Sequence, residues 1–372
     1  MEELGLNNDI TVGGRKFHIQ TNFSKPQESI ISNVFLDGQV IDTKRVPLKQ
    51  DASIEDIDNR MVDTHREMTT EMEILYYIAE KVKTVRHAPS ANKLGLMFLK
   101  KNLVEESIEQ FQLALEIDPD YHEVYANLGK ALIFSEAYDQ AIETLSAGAD
   151  RAPDFADMQN FIGIACLRAG NYEQATAHLE EALKLNPDYV EAHYNLGVAL
   201  LRDGAATQED SATEQKRQRA LEHLSAVAGK VAHADMPNLT LALELMASDN
   251  YDEALERLTE GESRDVFKNF FNFENEFYLK FMYGGKGKDD SFIAEYVNDL
   301  KQLIEEYPHY ADVRSNLGIA YLIQCRNLFL KSLEEFRTAL KINPDFKKAE
   351  KNLKLAENDG KGFLILLRAL LK

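Results

Sequence analysis

Three dipeptides, Leu94-Gly95, Leu128-Gly129 and Ile162-Gly163, recur at intervals of 34 residues. The same interval links Ser107, Ala141 and Ala175, then Phe111, Leu145 and Leu179, then Ala114, Gly148 and Ala182, then Pro119, Pro153 and Pro187. A period held at this many positions restricts the chain to a stack of small repeated units, each touching mainly its neighbours. One unit cannot bury its apolar face alone, so stability must come from stacking.

The pattern resembles that of repeat proteins whose units are two antiparallel helices joined by a tight turn. Glycine at repeat position 8 (Gly95, Gly129, Gly163, Gly197) leaves no Cβ where the first helix presses on the second. Small residues at positions 20 and 27, such as Ala141 and Ala175, admit the neighbouring unit, and position 24 (Phe111, Leu145, Leu179) fills the space they leave. The proline at position 32 disfavours helical geometry in the residue before it, so Asp118, Ala152 and Asn186 should close their helices. The pattern resembles the tetratricopeptide repeat family. That resemblance implies a mainly α helical solenoid of about seven units, some degenerate. They are expected at 88–121, 122–155, 156–189, 190–234 with an insertion, 235–264, 265–310 and 311–346. The last recovers the pattern with Leu317-Gly318, Phe336, Ala339 and Pro344.

Residues 1–50 read as a small antiparallel β-module. Phe17, Ile19, Thr21 and Phe23 alternate on one face of a strand, and Ile30–Leu36 meets Gln39–Val46 across Asp37-Gly38, a strong hairpin signal. Three strands of this size bury little alone and must lean on a helix or another chain. The segment resembles modules that precede tetratricopeptide arrays in uncharacterised bacterial proteins, which implies a bacterial origin and no activity. At 51–87, Ser53-x-x-Asp56 resembles a capping box, and Ile54, Ile57, Met61, Met68, Met72, Leu75 and Val82 recur at helical spacing. A continuous helix there would span about 45 Å. It is either a connector packed on the sheet and first repeat or a dimerising coiled coil. The heptad phase slips near Met68, which favours the connector.

The chain of 372 residues has a net charge of −20, while residues 1–50 hold six basic and six acidic side chains. The helical remainder carries the negative charge, which argues against nucleic acid and anionic membrane surfaces. The N-terminus lacks a secretory apolar run and no segment is apolar enough to span a bilayer. The plain expectation is a cytoplasmic protein. Cys166 and Cys325 read as core fillers, with no disulfide framework, metal ligand set or cofactor site. Gly284–Lys288 lacks the glycine spacing of a phosphate loop, and the histidines, His178 and His193 among them, are scattered. The chain is expected to be no enzyme.

Three further segments carry alternatives. Eleven extra residues around Asp203–Arg219 lie at the turn of the fourth unit, with Ser211-x-x-Glu214 as a helix start; they form a tolerated bulge or a binding loop. The stripe of Phe267, Phe270, Phe271, Phe273, Phe277, Tyr278 and Phe281 is core or a hydrophobic recess. A helix at Phe292–Tyr307 should pair with it. Residues 347–372 comprise a polar capping helix and the apolar segment Phe363–Leu371. That segment packs back on the capping helix or joins a partner or second copy; folding back is favoured over oligomerisation.

The resemblance implies a concave face lined by the first helix of each unit, at repeat positions 2, 5, 6, 9, 12 and 13. It supplies Asn92, Lys93 and Lys100, then Asn127 and Lys130, then Asn160, Phe161 and Arg168, then Tyr194, Asn195 and Arg202. Asparagine and arginine can bond a peptide's main chain and carboxylates, and Phe161 and Tyr194 add apolar area. The clamp that holds heat-shock chaperone tails in this family is matched only at Asn127, since Asn92 and Leu96, then Asp157 and Phe161, occupy its other places. The expectation is therefore a scaffold or adaptor for some other protein or peptide. The alternatives are a self-assembling structural component and a regulatory subunit of an enzyme complex.

Overall fold

The computed structural model describes residues 5–48, 52–206, 211–230, 236–260 and 273–370. The chain divides into two units, 1–272 and 273–372.

The first unit begins with four strands where the sequence suggests three. They are β1 (Gly5–Val12), β2 (Arg15–Ser24), β3 (Ser29–Leu36) and β4 (Gln39–Pro47), all antiparallel in the order β1-β2-β3-β4. Strand β1 buries no side chain. Leu6, Ile10 and Val12 alternate on its half-buried face, but Asn8 interrupts that pattern, and the strand is held by its ladder to β2. Asp37 and Gly38 both take positive φ, 51° and 80°, which matches the twist of the β3–β4 hairpin. Phe17, Ile19 and Thr21 of β2, with Ile30, Ser32 and Val34 of β3, form the buried face.

That face lies on α1 (Ile54–Val85), which contacts all four strands and the first repeat. Ser53 Oγ accepts the Asp56 amide, and the Asp56 carboxylate accepts the Ser53 amide, so the capping box forms. Met61, Met68, Met72, Leu75, Ile78 and Val82 are buried within this one chain, as a connector requires; Ile54 is exposed.

Five helical hairpins follow: α2 (Ala88–Lys100) with α3 (Val104–Ile117), α4 (His122–Phe134) with α5 (Tyr138–Arg151), α6 (Ala156–Arg168) with α7 (Tyr172–Leu185), α8 (Val190–Ala206) with α9 (Ser211–Ala228), and α10 (Pro237–Met246) with α11 (Tyr251–Thr259). The glycines sit at the closest approaches. A Cβ on Gly95 would lie 2.5 Å from the Phe111 ring, on Gly129 2.4 Å from Leu145, on Gly163 2.6 Å from Leu179 and on Gly197 2.6 Å from Leu224. Ala141 and Ala175 are buried. Helices α3, α5 and α7 end on Asp118, Ala152 and Asn186, directly before Pro119, Pro153 and Pro187. The insertion in the fourth hairpin lengthens both helices, and Lys216 of α9 pairs with Asp203 of α8 at 3.0 Å.

In the second unit, α12 (Phe273–Met282) and α13 (Asp290–Glu306) enclose a core of Phe277, Phe281, Ile293, Tyr296, Val297 and Leu300, joined by Ala320 and Ile323. Phe277 stacks on Phe292 with ring centroids 5.3 Å apart. The described part of the aromatic stripe is thus mainly core, with Tyr278 half-buried. Phe267, Phe270, Phe271 and the Phe273 side chain lie outside the described residues. Gly284–Lys288 is the turn between these helices.

Two expectations need correction. Residues 311–346 do not form a hairpin: α14 runs unbroken from Ala311 to Ile342. The first three hairpins turn at a left-handed residue, Asn102, Glu136 and Gly170, with φ of 56°, 61° and 82°. No glycine or proline interrupts the chain between Gly318 and Ile342, and Asn327 stays helical, donating its side-chain amide to Asp290 at 3.3 Å. Gly318 accordingly meets nothing within 4 Å, and Cys325 is exposed while Cys166 is buried. The second correction concerns the C-terminus. The capping helix and the apolar segment are one helix, α15 (Lys347–Leu370), so Phe363–Leu370 continues the capping helix and does not fold back on it. Pro344 lies in the turn between α14 and α15.

Candidate partner-binding surface

Helices α2, α4, α6 and α8 lie side by side, each contacting the next, and together present one face of the first unit. Four asparagines occupy adjoining places on them. Asn127 donates its side-chain amide to Asn92 Oδ1 at 2.9 Å, joining α4 to α2, and Asn195 donates to Asn160 Oδ1 at 3.1 Å, joining α8 to α6. The Tyr121 and Tyr189 hydroxyls accept the remaining Asn92 and Asn160 donors at 3.4 Å. Asn92, Asn127 and Asn160 are only 2%, 5% and 2% exposed, so these amides hold the helices together. Asn195 is half-buried.

Between the two asparagine pairs, the α4–α6 seam is made differently. Lys130 places its ammonium over the Phe161 ring, 4.5 Å from the centroid, and both residues are buried. Burial pushes the Lys130 ammonium down to about 8, against the opposing pull of Asp157 and Glu123.

The accessible charges fall into two rows. Lys100, Arg168 and Arg202 share repeat position 13, at or near the ends of their helices; Lys100 is exposed and the arginines half-buried. The opposite edge carries Glu123, Asp157 and Glu191, all exposed, at repeat position 2 in the first turns of α4, α6 and α8. Sequence reasoning missed this acidic row as a feature of the site, although the 34-residue interval already marks it. Each row also complements the helix dipoles, acids at N-termini and bases at C-termini. Lys93 is half-buried on α2. Tyr194 donates its hydroxyl to the Leu258 carbonyl at 2.7 Å, so α11 approaches the fourth unit on this face.

Burial raises the Cys166 thiol above its ordinary value, which keeps it unreactive. His193 and His223 meet at 2.8 Å between Nδ1 atoms, a pairing across α8 and α9 that spacing did not reveal. Among the described residues, no group of three or more His, Cys, Asp or Glu side chains is placed to hold a metal ion, and no helix is long and apolar enough to cross a membrane.

Residues 99–163 match the family described as tetratricopeptide repeat, and residues 163–204 the one described as TPR repeat. A search of curated proteins finds no match. Among solved structures, MamA from Desulfovibrio magneticus RS-1 is 16% identical, covering 48% of this chain and 95% of its own, with a TM-score of 0.37. YrrB, described as a TPR protein with an unusual peptide-binding site, is 17% identical over 51% of this chain and 94% of its own, with a TM-score of 0.36. The first TPR of Spaghetti (RPAP3), bound to an HSP90 peptide, is 18% identical over 32% of this chain and 94% of its own, with a TM-score of 0.31.

Proposed function

Because residues 99–204 match tetratricopeptide-repeat families, we propose that this chain is a non-catalytic scaffold that captures an extended segment of a partner protein across α2, α4, α6 and α8. The observation that carries this reading is the pair of opposite-charge rows along one face, basic on the first, third and fourth units, where Phe134 stands in the second, and acidic on the second, third and fourth, where Pro89 stands in the first. A segment laid across the four helices would meet Lys100, Arg168 and Arg202 on one side and Glu123, Asp157 and Glu191 on the other. Guanidinium groups bind carboxylates in a bidentate fork, so the arginine row favours acidic residues in the partner. The asparagine pairs set the spacing of the helices and leave specificity to the rows.

The test is an affinity capture from the source cells, read by mass spectrometry, with wild type beside an Arg168→Glu, Arg202→Glu double variant. A partner held by wild type and lost by the variant, with circular dichroism unchanged, supports the reading. Equal recovery by both proteins moves the binding surface elsewhere.

A further inference from the structure

Residues 311–346 carry the residues of a tetratricopeptide unit, but half of its packing is missing. In the first three units the position-8 glycine faces the side chain sixteen residues later, as Gly95 faces Phe111. In the seventh, Phe336 holds the matching place opposite Gly318, with two residues inserted between. Gly318 is nonetheless exposed with nothing within 4 Å of a Cβ built on it, and Phe336 is half-buried. The unbroken helix explains both facts. Eighteen residues along one helix separate them by about 27 Å, so within this fold a single chain cannot bring them together.

Each half of α14 is folded onto a different helix. The first half meets α13, with Ala320 and Ile323 in the shared core. The second half meets α15, and Leu333 and Ala349 are buried there. Tyr321, Leu328 and Ile342 remain 45%, 66% and 82% exposed. The hinge can be located by sequence. Asn327 stands five residues before Ser332, as Asn102 stands five before Ser107. Asn102 is left-handed and turns the chain; Asn327 continues the helix.

We propose that α14 is the open arm of a reciprocal exchange between two copies of this chain. The second half of α14, with α15, leaves its own molecule and seats on the first half of α14 in the other. Phe336 of each copy then fills the space over Gly318 of its mate. The occupant is a second copy because the repeat sequence already encodes this contact, and an exchange needs no new complementarity. Each copy gives one arm to its mate and receives that mate's arm, so the reciprocal exchange leaves no seat unfilled and closes at two copies.

Light scattering of the full chain over a wide concentration range should show a dimer. One chain carrying Gly318→Cys and another carrying Phe336→Cys, both with Cys166→Ala and Cys325→Ser, should form a disulfide-linked pair when unfolded together and refolded. A monomer at every concentration overturns the proposal, as does a dimer that gives no cross-link. Phe329→Pro supplies the control. Phe329 matches Val104, the first residue of α3, where proline suits a helix start but would break a continuous helix. This variant should run as a monomer with its circular dichroism retained. A dimer that survives the change is held by another surface, and the exchange is then wrong.

Discussion

Asn127 gives its side-chain amide to Asn92 across the first seam of the stack, and Asn195 gives its own to Asn160 two repeats later. The seam between them is closed by Lys130 over Phe161. Hydrogen-bonded amides and a cation on a ring therefore alternate along α2, α4, α6 and α8.

Asn127→Ala should destabilise the protein by about 1–3 kcal/mol, because it strands the buried Asn92 oxygen. Removing both side chains should cost less than the two single changes added together. Urea midpoints of the two single variants and the double variant measure this coupling, and strict additivity would show that the pair does not act as a unit.

Lys130 predicts a dependence on alkaline pH. Below about pH 8 the folded protein bears the cost of burying a charged ammonium. As pH rises from about 8 toward the ordinary value of 10.5, the folded state gives up the proton before the unfolded state does, so this site adds stability with rising pH. Its contribution across that window is on the order of 3 kcal/mol. Lys130→Met should therefore be more stable than wild type at neutral pH, with the advantage shrinking as pH rises. Denaturation at several pH values tests this; a gap that stays constant would refute the buried-charge account.

Gly129→Leu and Gly163→Leu should each cost about 1–3 kcal/mol or more by overpacking the helix contacts against Leu145 and Leu179. Thermal melts at the wild-type temperature for both variants would mean that these contacts yield easily.

Lys101, in the turn after α2, meets Asp42 of β4 and Glu71 of α1, the latter at 3.2 Å, with its side chain only 8% exposed. Lys101→Met removes the cation from two facing carboxylates and should cost about 3 kcal/mol. The loss should appear first as faster amide hydrogen exchange in β2–β4. Exchange unchanged in the strands would place the anchor of the β-module elsewhere, for instance at Arg15 with Glu105 and Glu106.

The helical stack was legible because its demands are local and repeated: no Cβ at Gly95, Gly129 and Gly163, and a stop before each late proline. Strand β1 was not, because it buries no side chain and owes its form to hydrogen bonds from β2. The seventh unit misled because its motif residues mark contacts, whereas hairpin or rod is decided at the turn, where Asn327 stays helical. On the candidate surface the 34-residue interval assigned the asparagines to the first helix of each unit, where α2, α4, α6 and α8 carry them. It did not reveal that Asn92 and Asn127, at adjoining repeat positions, spend their amides on each other.

Alternation along the stack gives it unequal joints. An amide pair fixes both distance and direction, while a cation can slide across a ring face with little loss. Strain applied along the groove should therefore concentrate between α4 and α6, and the four units should flex as two stiff blocks about one compliant seam.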